Sequence, residues 1–344
     1  MTVLITGGAG FIGSNYAARV IQSGNHLVIY DNLSRKGAAE NLAWLKAEYG
    51  DAFEFVHGDI RNYEQLASTT KTADIIVHLA AQVAVTSSVI DPRYDFEVNA
   101  QGTFNVLEAA RTNGRNPIVL YASTNKVYGE MQDVKVVEGA NAYQYGDLPE
   151  GISESNPLDF HSPYGCSKGT GDQYMRDYHR IYGLRTVVFR QSCIYGPRQF
   201  GVEDQGWVAW FIIAAIAGRP ITIYGDGKQV RDVLYVDDLL NSYDLAVSKI
   251  DQAAGQIFNV GGGKDNTLAI WSQFGPILEK HLGKKLPVKR DDWRPGDQKI
   301  YISDIRKAVA DLGWKPSITV NQGIERLYNW VKENQDLIAR VMRK

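Results

Sequence analysis

The sequence predicts an α/β protein: a doubly wound parallel sheet joined to a smaller mixed α/β lobe. Three observations carry this. Apolar runs of strand length recur through the first 190 residues, with helix-length segments between them. A glycine-rich turn, Thr6-Gly7-Gly8-Ala9-Gly10-Phe11-Ile12-Gly13, follows the first run. An acid, Asp31, closes the second run.

In chain order, Val3-Leu4-Ile5 is the first strand, Phe11 to Ser23 a helix, and Leu27-Val28-Ile29-Tyr30 the second strand. This is the βαβ unit of a Rossmann fold. Gly7 permits the tight turn, Gly10 lets the backbone approach a pyrophosphate, and Gly13 permits close helix–strand packing. The helix N-terminus then faces the phosphates. Asp31 stands where a carboxylate binds the adenosine ribose, which favours NAD and repels the extra phosphate of NADP. Arg35 and Lys36 are the counterargument for NADP. Phe53–His57 is a third strand, leading to Gly58-Asp59-Ile60, and Asp74–Leu79 a fourth, ending in Ala80-Ala81-Gln82. A helix over Pro92–Asn113, a strand over Pro117–Tyr121, a helix over Tyr164–Tyr182 and a strand over Arg185–Arg190 complete the first unit, residues 1–190. Residues 127–162, rich in Gly, Asn, Asp and Tyr, interrupt it as a long excursion over the active-site mouth.

Residues 191–344 are less regular and form the smaller lobe, with some exchange of chain between the two units. Helices are expected at Trp207–Ala217, Val236–Ser248, Leu268–Leu282, Asp304–Leu312 and Asn321–Lys332, and strands near Ile221–Tyr224, Val230–Leu234 and Gln256–Val260. No internal repeat or low-complexity segment is present.

Bulk composition narrows the function classes. Of 344 residues, 44% are hydrophobic and 22% charged, which places the chain among globular proteins and away from disordered ones. A net charge of −2 with no long basic run argues against nucleic acid. The most apolar stretch, Trp207–Gly218, is too short to span a bilayer, and the N-terminus enters a strand directly, so a cytoplasmic protein without a membrane partner is expected. Cys166 and Cys193 lack the spacing of a disulfide framework or a zinc site, and no metal is expected.

The chemistry gathers in His161-Ser162-Pro163-Tyr164-Gly165-Cys166-Ser167-Lys168. Tyr164 and Lys168, four apart, share one helix face, and Pro163 suits the first turn. A nearby ammonium favours an ionised phenol, so the pair is a candidate base. The fifth strand ends in Ala122-Ser123-Thr124-Asn125-Lys126, at the carboxyl edge where doubly wound sheets bind ligands. A hydroxyl there can hold the oxygen that Tyr164 deprotonates.

Together, the glycine loop, the Thr124 strand end and the Tyr164/Lys168 pair resemble the extended short-chain dehydrogenase/reductase family of nucleotide-sugar epimerases and dehydratases. The resemblance covers essentially the whole chain, including Gly225-Asp226-Gly227-Lys228-Gln229-Val230-Arg231-Asp232 and Arg294-Pro295-Gly296-Asp297, which match stretches that grip the nucleotide diphosphate. It implies Thr124, Tyr164 and Lys168 as the catalytic set. It implies NAD held by Gly7, Gly10, Phe11, Ile12, Gly13, Asp31, Asn32, Ser34, Arg35, Asp59, Ile60, Leu79, Ala80 and Ala81, with Asn99, Ser123, Tyr164 and Lys168 at the nicotinamide half. Substrate is assigned to Gln82, Thr86, Thr124, Asn125, His161, Gln191, Gln205, Gly206, Gln229, Arg231 and Arg294. A homodimer through helices 92–113 and 163–182 is a further expectation of the family.

In the dehydratase branch an Asp-Glu pair follows the threonine; Asn125 and Lys126 cannot do that carboxyl chemistry, so elimination is disfavoured. The strings Thr124–Gly129, Asp31–Gly37, Asp159–Lys168, Arg198-Gln199-Phe200 and Asp204–Trp207 are similar to a branch that epimerises C2 of CDP-linked 3,6-dideoxyhexoses. A UDP-sugar 4-epimerase is the alternative, and a silent NAD-binding sensor or scaffold the alternative of another class. Several assignments stay open at this level. Arg231 and Arg294 are either phosphate ligands or surface arginines, His161 a substrate contact or a cap, and Gln82 and Thr86 sugar contacts or loop residues. Asn125 and Lys126 either touch substrate or shape the strand end. Cys166 reads as a packed thiol, and Tyr94, Phe96 and Phe104 as core or dimer interface.

Overall fold

The computed structural model describes residues 1–294 and 297–343. Pro295 and Gly296, inside the Arg294–Asp297 stretch, lie outside the described residues, as does Lys344. The chain begins β1 (Thr2–Thr6), α1 (Phe11–Gln22), β2 (His26–Asp31), α2 (Ala38–Tyr49), β3 (Phe53–His57), α3 (Tyr63–Thr70) and β4 (Ile75–His78). It continues with α4 (Val85–Ile90), α5 (Pro92–Phe96), a π-helical turn over Glu97–Gln101, α6 (Gly102–Thr112) and β5 (Ile118–Thr124). After a 3₁₀ turn at Asn125–Tyr128 come β6 (Val136–Glu138), β7 (Tyr143–Tyr145), α7 (Ser162–Tyr182) and β8 (Arg185–Gln191).

The remainder runs β9 (Ile194–Tyr195), α8 (Trp207–Ile216), β10 (Ile221–Tyr224), β11 (Val230–Asp232), β12 (Leu234–Tyr235), α9 (Val236–Ser248), α10 (Ile250–Ala253) and β13 (Ile257–Val260). It closes with β14 (Thr267–Ala269), α11 (Phe274–Leu282), β15 (Val288–Asp291), β16 (Ile300–Tyr301), α12 (Arg306–Leu312), α13 (Val320–Glu333) and α14 (Gln335–Arg343).

Seven strands form one sheet in the order β13-β8-β5-β4-β1-β2-β3, and every pairing in it is parallel. Parallel strands covered on both faces need continuous apolar runs, and β1, β2, β4 and β5 supply them. The strand order reverses between β1 and β4, which opens a crevice at their carboxyl ends. The seventh strand comes from beyond residue 190, and α9 packs into the same core as β1 and α1. The second part of the chain carries a three-stranded mixed sheet, β14-β11-β16, and a parallel pair, β10-β15.

Some expectations need correction. The helix expected over Leu268–Leu282 begins only at Phe274. Leu268 and Ala269 instead pair antiparallel with Arg231 and Val230, so sheet pairing overrides helical periodicity there. The Val230–Leu234 strand is broken at Val233 into β11 and β12. The Pro92–Asn113 helix holds a π-helical turn at Glu97–Gln101, and the 127–162 excursion contains the hairpin β6–β7. The apolar Trp207–Gly218 run is a buried helix, α8. Among the described residues no helix is long and apolar enough to cross a membrane.

Candidate active site

A cavity of about 570 Å³ runs along the carboxyl edge of the sheet. Its first end is built by the turn after β1. Gly7 has φ +71°, and a Cβ there would fall 2.6 Å from the backbone nitrogen of Ala80. Only glycine lets the loop close onto the end of β4. α1 starts at Gly10 with no side-chain cap, so its first turn, Gly10–Gly13, opens into the cavity. Uncapped N–H groups at a helix start are an anion site.

At the end of β2 the Asp31 carboxylate accepts from the backbone N–H of Ala9 at 3.0 Å and of Leu33 at 2.7 Å. Burial pushes its pKa up and these two N–H groups pull it back. An ionised carboxylate takes about four hydrogen bonds, so Asp31 keeps capacity for a ribose hydroxyl. Arg35 and Lys36 line the same end. Asn32 donates to Asp59 at 3.0 Å, and Arg61, with hydrogen bonds at 2.8 and 3.0 Å, holds the Asp59 carboxyl down at about 2. Glycines in contact with β4, an uncapped helix start and an acid at the end of β2 fit an adenine dinucleotide.

The middle of the cavity is the junction of β5 with α7. Pro163 lies in the first turn of α7, and the Ser88 hydroxyl accepts from the N–H of Tyr164 at 3.1 Å. Farther along α7, a Cβ on Gly171 would fall 2.4 Å from Tyr121 Oη, so glycine brings this helix close against β5. Tyr121 in turn donates to the carbonyl of Lys168 at 3.2 Å. Lys168 is buried, with its ammonium 4.2 Å from the centre of the Tyr121 ring. Burial lowers the pKa of Lys168 to about 7, against the attraction of Asp172 and Asp95. Tyr164 opens to the cavity, yet the surrounding protein pushes its phenol up to about 12, with the Thr124 side chain opposing through a hydrogen bond. The four-residue spacing of Tyr164 and Lys168 predicts a depressed phenol. Desolvation outweighs it, because burial favours the neutral form of both partners.

Ser123 donates to Asp172 at 2.7 Å, and Asp172 accepts two hydrogen bonds of 2.9 Å from the buried guanidinium of Arg190. This bidentate pair ties α7 to β5 and β8. Beyond Thr124 and Lys126 the cavity is walled by Gln191, Cys193, Gln205, Gly206 and Arg231. Arg231 donates to Asp297 and to the carbonyl of Gln298, both at 2.7 Å. Arg294 pairs with Asp204 at 3.2 Å and lies 3.8 Å from the Tyr224 ring centre. Thr86 donates to the same Asp204 at 3.3 Å.

Most of the expected residues therefore meet in one place. Four do not line the cavity. Gln82 donates to Ala84 O and Asp95, both at 2.8 Å. Asn99 bridges the Gln82 carbonyl, Asp95 and Ser167. Both serve the network beneath α7 with Asp95 and Ser167, Asn99 from within the π-helical turn. Gln229 is fully buried and donates to the Tyr224 carbonyl at 2.7 Å, while His161 is exposed and lies 3.3 Å from Glu130. Tyr94, read as core or interface, faces the cavity, whereas Phe96 and Phe104 are exposed. Asp297 and Phe200 also line the wall; in the sequence they stood out only as members of the family-like stretches Arg294–Asp297 and Arg198–Phe200. Cys193 was recognisable as lying just past the end of β8.

Comparison with known proteins agrees with this geometry. The family model described as GDP-mannose 4,6 dehydratase matches residues 4–327. The CDP-paratose 2-epimerase of Salmonella typhi is 45% identical over 96% of this chain and 99% of its own length. Among solved structures, a dTDP-glucose 4,6-dehydratase from Streptomyces venezuelae with NAD bound is 31% identical, covering 99% of this chain and 100% of that one, with a TM-score of 0.84. The UDP-glucose 4-epimerase of Thermotoga maritima with UDP-glucose is 29% identical over 97% of this chain and 100% of that one, also at 0.84. With the sheet order, the glycine turn and the Thr124–Tyr164–Lys168 junction in place, the chain belongs to the GDP-mannose dehydratase-type family of extended short-chain dehydrogenases/reductases, the nucleotide-sugar epimerases and dehydratases.

Proposed function

We propose that this chain is an isomerase that inverts C2 of a CDP-linked 3,6-dideoxyhexose, interconverting CDP-paratose and CDP-tyvelose with NAD as a cofactor that is not consumed. The observation that carries the reaction type is one cavity holding the dinucleotide cradle at one end and Thr124, Tyr164 and Lys168 at its middle. The CDP-sugar is supported by the 45% identity to a CDP-paratose 2-epimerase over nearly the whole chain. Asn125 and Lys126, in place of two acids, support epimerisation over elimination.

Gly7–Gly13, Asp31 and Asp59 would hold NAD at the crevice, where it supplies the hydride acceptor and donor. Tyr164 takes the proton of the reacting hydroxyl and returns it, and Thr124 orients that oxygen. Lys168 supplies positive charge beneath the phenol, and Asp95 and Asp172 favour that charged form. Inversion requires the 2-keto sugar to present its other face before the proton and hydride return. Arg231 and Arg294 would hold the diphosphate meanwhile, as planar donors suited to phosphate. The exposed apolar side chains Phe96, Phe104, Tyr174, Ile181 and Tyr182 on the Pro92–Asn113 and Ser162–Tyr182 segments support a homodimer through those helices.

The alternative is 4-epimerisation of a UDP-sugar, favoured by the likeness to the Thermotoga enzyme. Turnover of CDP-, UDP-, GDP- and dTDP-sugars carrying deuterium at C2 or at C4 separates the two, since only the carbon whose hydride passes to NAD gives a primary isotope effect. An isotope effect from C2 of a CDP-sugar is expected; turnover of UDP-sugars alone, with the effect at C4, refutes it. Tyr164→Phe should bind NAD and lose turnover by at least about 10²-fold.

A further inference from the structure

We infer that Lys126 is a substrate-binding residue that donates to an oxygen of the sugar-linked phosphate and so sets C2 as the reacting carbon; this rests on the C2 reading above. Three observations carry it. Lys126 lines the cavity, immediately past Thr124, in the 3₁₀ turn that follows β5. Its ammonium has no hydrogen bond or ion pair among the described residues. The charged groups near it are Arg231, which repels it, and Asp297, which is already held by Arg231 at 2.7 Å.

The charges at this end of the cavity do not balance. Arg231 has Asp297 and Arg294 has Asp204, each in an ion pair. Among the described residues Lys126 is the cation left over at this end, half-buried and facing the space that the two arginines border. A half-buried charge without a partner is costly to hold, and a chain tolerates it where a ligand supplies the counter-charge. A phosphate oxygen is that counter-charge.

Position then selects the carbon. The backbone N–H of Lys126 donates to Thr124 Oγ1 at 3.2 Å, so the two residues start from one point on the cavity wall. In a nucleotide sugar the phosphate is on the anomeric carbon, C1. A C2 hydroxyl held at Thr124 and Tyr164 leaves that phosphate on the adjacent carbon, within reach of a lysine stem beginning beside Thr124. A C4 hydroxyl held there puts the phosphate across the ring. An ammonium beside the catalytic threonine therefore suits C2 chemistry.

The test compares the full-length chain with Lys126→Met and Lys126→Arg, measuring CDP binding by calorimetry and CDP-paratose turnover, with NAD binding as the control for folding. Lys126→Met should weaken CDP binding and lower kcat/KM by about 10- to 100-fold in step, the range for a hydrogen bond to a charged group. Lys126→Arg should recover most of both. Wild-type CDP affinity in Lys126→Met, or wild-type turnover, overturns the assignment. A wild-type chain that leaves CDP-paratose untouched, while Lys126→Met still weakens CDP binding, overturns the C2 reading and supports the phosphate contact.

Discussion

Tyr164 and Lys168 are both pressed toward their neutral forms, and each shift has a measurable sign. With its pKa pushed up to about 12, Tyr164 should give no phenolate band below about pH 11, read as the ultraviolet difference between wild type and Tyr164→Phe. Saturation with NAD⁺ should move that band to lower pH, because a nearby positive charge favours the phenolate. For Lys168 the folded pKa is about 7 against 10.5 when unfolded, so the unfolded chain binds more protons between those values. The penalty is full below pH 7 and is relieved as pH rises toward 10.5, at most about 1.4 kcal/mol per pH unit. Lys168→Met should flatten that slope and be the more stable chain near neutrality, as urea unfolding at pH 7 and 9 will record. The residue proposed to lend charge to Tyr164 is thus a cost to the fold.

Among the elements, α7 depends most on its neighbours. Its hold on the sheet includes the Arg190–Asp172 pair, with side chains 2% and 0% exposed, and the close approach at Gly171. Arg190→Met strands a buried carboxylate and should cost about 3–5 kcal/mol of unfolding free energy. Gly171→Ala drives a methyl toward the Tyr121 hydroxyl and should cost about 1–3 kcal/mol, lowering kcat through the displaced Tyr164 and Lys168. Thermal unfolding checks both numbers, and steady-state kinetics checks the fall in kcat. The helix and its Tyr164–Lys168 pair were legible in the sequence, because Pro163 and the four-residue spacing mark them locally. Its supports were not. Gln82, just past a strand end, was open between a sugar contact and a loop residue, and the family resemblance put Asn99 at the nicotinamide half; only the fold shows them tied to Asp95 and Ser167. β14 was missed for the same reason: its partner lies 37 residues away in β11, and Leu268 carries no mark of that pairing.

On the scale of the whole molecule, the parallel sheet was readable because its strands are continuous apolar runs, and the cavity because strand ends converge at one edge. The cavity wall was harder to read, since Tyr94, Phe200 and Asp297 come from three separate segments. If the exposed faces of α6 and α7 pair two copies, Phe104→Glu together with Tyr174→Glu should shift the chain to a monomer in sedimentation velocity while leaving NAD binding intact.

β13 reaches back from beyond residue 190 to pair with β8, from Ile257↔Val188 to Val260↔Gln191. A fragment ending at residue 190 would keep Thr124, Tyr164 and Lys168 but leave β8 as a bare edge, open to pairing between copies. The same stitch limits engineering among relatives. A chimera that exchanges sugar specificity by grafting everything past β8 must import β13 in the recipient's register, or it trades a substrate preference for an aggregating sheet.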